Sequence, residues 1–194
     1  MLVLGLDAST STIGIAVLDH DGTKPTLVHH EYFKPPKLDN FIETLHLTKL
    51  HILQVLISWQ PDVVAIEEYI QFMKGSSGAK TIIPLAIINR TICLAIYEET
   101  KQFPVIMNVL AIRHAIKFDK KLPAKEEIPD LVARHLNIDF PYIKKTIKGN
   151  KSRPEKIKNI EENNDMADAM AVGLAYLIKG PPKPKKKKKA KKRK

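Results

Sequence analysis

The sequence has almost no cysteine. Of its 194 residues only Cys93 is a cysteine, so no intramolecular disulfide can form and the disulfide frameworks of small secreted domains are excluded. Cys93 lies in an apolar helical pattern, where an inert packing role is expected. The N-terminus lacks the basic segment that precedes the apolar run of a secretory signal, and no stretch has the ~18 uncharged apolar residues of a membrane span. These absences favour an intracellular protein without a membrane segment.

Acidic residues are absent from the C-terminal end. The segment 180–194 contains ten lysines and arginines and no acid, whereas residues 1–179 carry 22 basic and 21 acidic side chains. The net charge of +11 therefore comes almost entirely from this end. Because a Pro/Lys-rich block repels itself and cannot bury a core, we predict one domain, 1–179, followed by a disordered basic tail, 180–194. A polyanion is the expected partner of the tail, with a solubility or nuclear-localisation role as alternatives.

Apolar and β-branched runs alternate with helical patterns along the domain. Three early runs joined by turn signals predict antiparallel strands, and two later runs are separated by helical segments. This order predicts an α/β fold with a mixed five-stranded sheet, in which three antiparallel strands precede parallel ones and helices cover both faces. The predicted strands are 2–8, 13–18, 26–33, 63–67 and 104–109, and the predicted helices are 40–58, 79–101, 111–118, 125–136 and 165–178.

Two prolines and one polar segment interrupt this pattern. Pro84 lies in the first turns of the helix 79–101, so we expect that helix to begin nearer residue 83. Pro129 is expected to disturb the helix 125–136. The segment 137–163 is polar, basic and rich in asparagine, and we predict a loop there with at most one helical turn.

Four acids end or begin the elements most strongly predicted. Asp7 ends an apolar strand, where a carboxylate is costly unless it is paired or binds a metal. Glu67 ends another apolar run, and Asp165 and Asp168 lie three residues apart at the start of the last helix, so they share one face. Taken singly, Glu67 could mark a strand that reaches solvent and Asp165 could stabilise a helix N-terminus. If the last helix packs against the two strands, all four carboxylates converge.

Clustered carboxylates repel one another, and bound cations would offset that repulsion. Hard oxygen ligands suit Mg²⁺ or Mn²⁺. Two such ions can stabilise both the attacking and the leaving oxygen in phosphodiester hydrolysis. The acids therefore favour a metal-dependent phosphodiesterase.

Three motifs, in this order, resemble those of the RuvC-type Holliday-junction resolvases within the RNase H-like superfamily. The resemblance extends over about residues 1–179, and the predicted strand order agrees with it. The motifs are Leu4-Gly5-Leu6-Asp7 with Gly14-Ile15-Ala16, then Pro61-Asp62-Val63-Val64-Ala65-Ile66-Glu67, then Asp165-Met166-Ala167-Asp168-Ala169.

The resemblance implies an RNase H-like fold and an endonuclease that resolves four-way DNA junctions by symmetric, metal-dependent hydrolysis in recombination and repair. Glu67 is preferred to Glu68 because the motif acid directly follows Ala-Ile. The helix 79–101 would form a homodimer interface, so that two active sites cut two strands. The protein would be DNA-associated in the cytoplasm or nucleoid, or in the nucleus or an organelle of a eukaryotic host. The catalytic residues, which would also bind two Mg²⁺ ions per site with Mn²⁺ as a substitute, are Asp7, Glu67, Asp165 and Asp168.

The resemblance also implies DNA contacts outside the acids. An aromatic residue after the second motif would insert at the junction, with Phe72 as the best match, Tyr69 as the alternative and Lys74 close by. Basic residues after the fifth strand would contact phosphates, although an ordinary solvated helix face has the same pattern: Arg113, Lys117, Lys120, Lys121 and Lys125. A second group could extend this basic surface toward the acids: Lys144, Lys145, Lys148, Lys151 and Arg153.

Three other functions fit parts of the sequence. Another RNase H-like nuclease, acting on RNA–DNA hybrids or other branched DNA, would use the same acids. An actin-like or sugar-kinase ATPase also opens with a strand ending in Asp, but it needs two such domains and has no role for the late acidic pair. A DNA-binding protein that relies on the tail alone would be hindered by four acids, because carboxylates repel phosphate unless metal intervenes. The seven histidines show no zinc-ligand spacing.

Overall fold

A central five-stranded sheet organises the protein. The computed structural model describes residues 1–69, 78–147 and 156–181, with side chains at 1–69, 78–146 and 159–181. The strands of the sheet are β1 (Leu2–Ala8), β2 (Ile13–His20), β3 (Pro25–Phe33), β4 (Val63–Glu67) and β5 (Val105–Met107). Their order is β3-β2-β1-β4-β5. The strand pairs β1–β2 and β2–β3 are antiparallel, and the pairs β1–β4 and β4–β5 are parallel, which confirms the predicted mixed sheet.

Helices cover both faces of this sheet, as predicted. The helices are α1 (Phe41–Trp59), α2 (Gly78–Thr100), α3 (Val109–Ile116), α4 (Ile128–Leu136) and α5 (Glu162–Lys179). α1 and α2 bury an apolar core on one face that includes Ile88 and Ile92. α3, α4 and α5 bury a second core on the other face that includes Val132 and Met170. Both cores form because alternate side chains of the strands point to opposite faces.

The two prolines affect their predicted helices in different ways. α2 begins at Gly78 and continues through Pro84, so the predicted start near residue 83 was wrong. The loss of one backbone hydrogen bond at Pro84 is offset by the burial of the apolar residues that follow it on the same helix. The predicted helix 125–136 is interrupted near Pro129, because residues Lys125–Glu127 form a 3₁₀ turn and the α-helix α4 begins at Ile128. Pro129 lies in the first turn of α4, where no backbone N–H is required.

The described residues of the segment 137–163 include regular secondary structure rather than a loop alone. It contains an antiparallel pair of strands, β6 (Lys144–Ile147) and β7 (Lys156–Asn159), and the first residues of α5. The loop prediction was wrong because these lysine-rich strands lack the apolar alternation that marks a strand with one buried face. α5 accordingly begins three residues before the predicted start. The predicted tail falls mostly on 182–194, outside the described residues.

Within the described part of the chain, α2 is the one helix that is long and apolar enough to cross a membrane. This criterion rests on length and composition alone, and core helices of soluble proteins also meet it. α2 packs against α1 and contributes Ile92 and Ile96 to the core beneath the sheet. The prediction of no membrane segment therefore stays a prediction.

Candidate active site

The four predicted acids line one cavity of about 330 Å³. Asp7 lies near the end of β1 and Glu67 is the last residue of β4, and these parallel strands are in register with Leu6 opposite Ile66. The two carboxylates therefore leave the same edge of the sheet. Asp165 and Asp168 reach the cavity from the first two turns of α5. The sequence predicts that the four carboxylates converge if the last helix packs against the two strands, and the structure shows this packing and this convergence.

Glycines in the two central strands allow α5 to approach the sheet closely. A Cβ atom on Gly14 would lie 1.9 Å from the carbonyl oxygen of Asp165, and one on Gly5 would lie 2.2 Å from that of Ala169. Both distances are far inside van der Waals contact, so any larger residue would displace the helix backbone. Gly5 and Gly14 thus set the distance between Asp7 on the sheet and the acidic pair on α5.

Burial and mutual repulsion raise the pKa of the acids from the sheet. Burial raises the pKa of Asp7 well above its usual value, and the charges of Glu67, Asp168 and Asp165 raise it further. Burial is also the main cause that raises the pKa of Glu67 to about 7, followed by the charge of Asp168. Near neutral pH the cation-free cavity therefore retains protons that ordinary surface carboxyls have lost.

The positive charges of two basic residues on the cavity wall, Lys125 and Arg113, oppose this rise in the pKa of the acids. Burial raises the pKa of both Asp165 and Asp168, and the charge of Lys125 lowers both. The Lys125 ammonium nitrogen lies 3.2 Å from Asp168 Oδ2. Burial disfavours the charged form of Lys125, but Asp168 outweighs it and the pKa of Lys125 is raised. Arg113 lines the same cavity and lowers the pKa of Glu67 and of Asp168.

The donor set of the cavity suits a hard divalent cation. Among the described residues, no hydrogen bond is donated to the side chains of Asp7, Glu67 and Asp165, and the Asp168 carboxylate accepts one from the Lys125 ammonium. In the described ranges, no three histidine, cysteine, aspartate or glutamate side chains lie close enough together to hold a metal ion as they stand. Four carboxylates that face one cavity, three of them without a hydrogen-bond donor among the described residues, nevertheless supply the oxygen ligands that Mg²⁺ and Mn²⁺ prefer.

The predicted DNA-contact residues separate into three groups. Arg113 and Lys125 line the acid cavity. Lys117, Lys120 and Lys121 do not line it, and the Lys117 ammonium instead donates a hydrogen bond to the carbonyl of Lys120 at 3.0 Å. Phe72 and Lys74 lie outside the described residues, as do Lys148, Lys151 and Arg153 of the second basic group.

Some residues at the cavity had no predicted role there, or only an alternative one. Tyr69 lines the cavity, and the Arg90 guanidinium carbon lies 5.1 Å from the centre of its ring. Glu68 also lines it and accepts a hydrogen bond from Asn108 Nδ2 at 3.3 Å. Ser9 also lines the cavity, from the turn that follows β1. Their proximity in sequence to Asp7 and Glu67 is the signal that could have identified them.

The same fold occurs in several solved structures, although no family model and no curated protein matches the sequence. Thermus thermophilus RuvC, in complex with a Holliday junction substrate, is 21% identical with a TM-score of 0.66, and the match covers 92% of this chain and 94% of that one. The yeast mitochondrial Holliday junction resolvase Ydc2 is 14% identical, with a TM-score of 0.58 and coverage of 90% and 77%. Fowlpox virus resolvase, in complex with Holliday junction DNA, is 16% identical, with a TM-score of 0.51 and coverage of 91% and 97%. The chain has the RuvC-type fold, as the three motifs implied.

Proposed function

We propose that the protein is a metal-dependent endonuclease that cleaves four-way DNA junctions. The observation that carries this proposal is the convergence of four carboxylates, from β1, β4 and α5, on one cavity that also holds Arg113 and Lys125. Support comes from the shared fold of the three resolvases, two of which were solved with junction DNA. An ATPase of the actin-like class is not favoured, because its nucleotide lies between two domains and the described chain has one central sheet.

The chain's own residues have separable roles in this proposal. Asp7, Glu67, Asp165 and Asp168 would hold two divalent cations, with Mg²⁺ expected and Mn²⁺ as a substitute. When bound, the cations would lower the pKa of the attacking water and neutralise charge on the leaving oxygen. Arg113 and Lys125 place positive charge at the cavity wall, where they would bind the oxygens of the scissile phosphate. Because the carboxyls must lose their protons to bind a cation, cation affinity should rise with pH.

Cleavage of a panel of DNA substrates tests this function. With Mg²⁺ we expect paired, symmetric cuts in a four-way junction and little cutting of linear duplex, Y-shaped DNA or an RNA–DNA hybrid. Addition of EDTA should stop cleavage. Mg²⁺ should also raise the melting temperature of the DNA-free protein, since a ligand at a hundred times its Kd adds about 2.7 kcal/mol to stability. Preferential cutting of the hybrid would instead support another RNase H-like nuclease.

The outer face of α2 is the proposed homodimer interface. It presents an exposed apolar stripe at helical spacing, formed by Ile83, Ile87, Leu94 and Tyr97. Exposed apolar patches of this kind are typical of protein–protein contacts. A two-fold dimer would carry two cavities, one for each strand to be cut.

We expect Leu94→Asp to convert the dimer into a monomer. Leu94 is 52% exposed in the single chain, so the aspartate should not disturb folding but would place a charge inside the interface. Sedimentation at micromolar concentration gives the oligomeric state. Leu50→Asp is the matched control, because Leu50 is 47% exposed on α1 and should leave the dimer intact. A dimeric Leu94→Asp protein would exclude the α2 face as the interface.

A further inference from the structure

The β6–β7 hairpin is joined to the helix that carries the acidic pair. The backbone N–H of Ile160 donates to the carbonyl of Ile143 at 3.0 Å. Asn163, in the first turn of α5, adds two reciprocal bonds: its Oδ1 accepts from the Ile143 N–H, and its Nδ2 donates to the Ile143 carbonyl, both at 2.9 Å. Asn163 is 2% exposed, so these bonds are shielded from water. The base of the hairpin is therefore fixed to the start of α5, two residues before Asp165.

The composition of the hairpin segment favours an anionic partner. Residues 144–159 contain one acid, Glu155, and seven basic residues. A two-stranded hairpin is only marginally stable by itself in water. A bound polyanion would offset the excess positive charge of this segment.

Lys34 and Lys145 lie near the first turn of α5, the helix that carries Asp165 and Asp168. Lys34, which follows β3, forms an ion pair with Glu162 at the first position of α5. The hydrogen bond that the Lys34 ammonium donates to the Glu162 carboxylate is the main cause that lowers the pKa of Glu162, and the charge of Lys145 also lowers it. Glu162 is also the main cause that raises the pKa of Lys34, and Asp165 contributes as well. Both lysines are thus close enough to the start of α5 to act electrostatically on its acids.

We propose that the β6–β7 hairpin is a DNA-binding arm, in which Lys145, together with Lys34, contacts the phosphate backbone of the strand that leaves the acid cavity. This inference rests on the proposed nuclease function and adds a contact surface to it. Arg113 and Lys125 at the acid cavity, and Lys34 and Lys145 near the first turn of α5, would then hold the backbone at separate points along its path. Lysine contacts of this kind position DNA without reading its sequence.

The alternation of strand side chains supplies a matched pair of variants. Lys144 and Lys145 are both exposed, and as neighbours in β6 they point to opposite faces of the hairpin. Lys145 is the one that acts on Glu162. Lys144→Ala and Lys145→Ala therefore remove the same charge from the same strand, but only the second removes the proposed contact.

Binding of the full-length protein to a four-way DNA junction tests the arm. The Asp7→Asn background without Mg²⁺ prevents cleavage, and Kd is measured between 50 and 200 mM salt. We expect Lys145→Ala to weaken binding about five- to tenfold and to reduce the salt slope by about 1. Lys144→Ala should change Kd by less than about twofold, since only the general charge is altered. Lys34→Ala should resemble Lys145→Ala.

Other outcomes separate this inference from the proposed function. If the unmodified protein cleaves the junction but Lys144→Ala and Lys145→Ala weaken binding equally, the charge acts diffusely and the sided contact is wrong. Unchanged binding in both variants would also exclude the arm. If the unmodified protein neither binds nor cleaves junction DNA, the proposed function itself fails.

Discussion

Asp7→Asn is expected to abolish junction cleavage while making the cation-free protein more stable. Loss of one of four cation ligands should reduce the cleavage rate by at least ~10³-fold, which corresponds to about 4 kcal/mol of activation free energy. The stability gain arises because Asp7 is buried beside three other carboxyls that repel it. Relief of that repulsion should add about 1.4 kcal/mol to the free energy of unfolding for each unit by which folding raises the pKa of Asp7. A residue with a purely structural role would lose stability and activity together.

The stability gain should depend on pH in a definite direction. The pKa of Asp7 is raised in the folded protein, so the folded state holds this proton more tightly than the unfolded state does. Stability is therefore highest with the proton bound and falls as pH rises through the folded pKa. With EDTA present, we expect little difference in unfolding free energy between Asp7→Asn and the unmodified protein near pH 4. The difference should widen toward pH 8, since the neighbouring Glu67 titrates at about 7.

Asp21→Asn is the matched control for this experiment. Asp21 lies in the β2–β3 turn and accepts hydrogen bonds from the Thr23 hydroxyl, the Thr23 N–H and the Lys24 N–H, which lower its pKa to about 2. The pH dependence of stability has the opposite sign to that of Asp7. The stability that Asp21 contributes is present above its pKa in the unfolded protein and is lost as pH falls through about 2. Asp21→Asn should therefore slightly destabilise the protein at neutral pH and leave cleavage unchanged. If the Asp7→Asn protein still cleaved four-way junctions, the proposed mechanism would be wrong.

Gly14→Ala is expected to reduce both stability and cleavage, because the added methyl would meet the α5 backbone. The new Cβ atom would lie 1.9 Å from the carbonyl oxygen of Asp165, so α5 must move away from the sheet. Overpacking of this kind costs about 1–3 kcal/mol or more. A displacement of about 1 Å of a reacting group can lower the rate about 10²-fold, and here the displaced groups are Asp165 and Asp168. Thermal denaturation and junction cleavage measure the two effects.

A graded series of glycine variants makes this prediction specific. Gly5→Ala should behave like Gly14→Ala, since its Cβ atom would lie 2.2 Å from a helix carbonyl oxygen. Gly173→Ala should stay within about 1 kcal/mol of the unmodified protein. Its Cβ atom would lie 2.9 Å from Leu18 Cδ1, the end of a side chain that can adjust, and alanine favours the helix more than glycine does. Equal losses in all three variants would contradict a role for close approach at the strands.

Much of the fold is predictable because its central elements are buried on both faces. β1 and β4 are short apolar runs that end in acids, and Asn40 caps α1 by accepting a hydrogen bond from the Ile42 N–H. Local patterns of this kind carry their own signal. The β6–β7 hairpin has no such signal, because apolar and polar residues do not alternate along its strands. It is held by backbone pairing between the strands and by the hydrogen bonds of Asn163 to Ile143. Pro84 shows the reverse case, in which tertiary burial overrides a local helix breaker.

The acids themselves were identifiable from their positions at the ends of predicted elements, but their spatial relation was not. Sequence spacing places Asp165 and Asp168 on one helix face, and it places Asp7 and Glu67 at strand ends. It contains no information on Lys125, whose position 40 residues before Asp165 gives no reason to expect its ammonium 3.2 Å from Asp168. The sequence predicts Arg113 and Lys125 as two of five phosphate-contacting residues, and in the structure only these two line the acid cavity, whereas Lys117, Lys120 and Lys121 do not.

The residues that can carry the chemistry were identifiable from sequence alone: an acid near the end of one buried strand, an acid at the end of another and an acidic pair at a helix start. Local periodicity and burial cost are sufficient for that, because each is a property of a few consecutive residues. The tertiary structure was needed to show that the three elements meet, that Lys125 and Arg113 share their cavity, and that the hairpin is fixed to the start of α5. Those relations depend on how closely α5 approaches Gly5 and Gly14, a distance set by packing between segments some 150 residues apart in the chain.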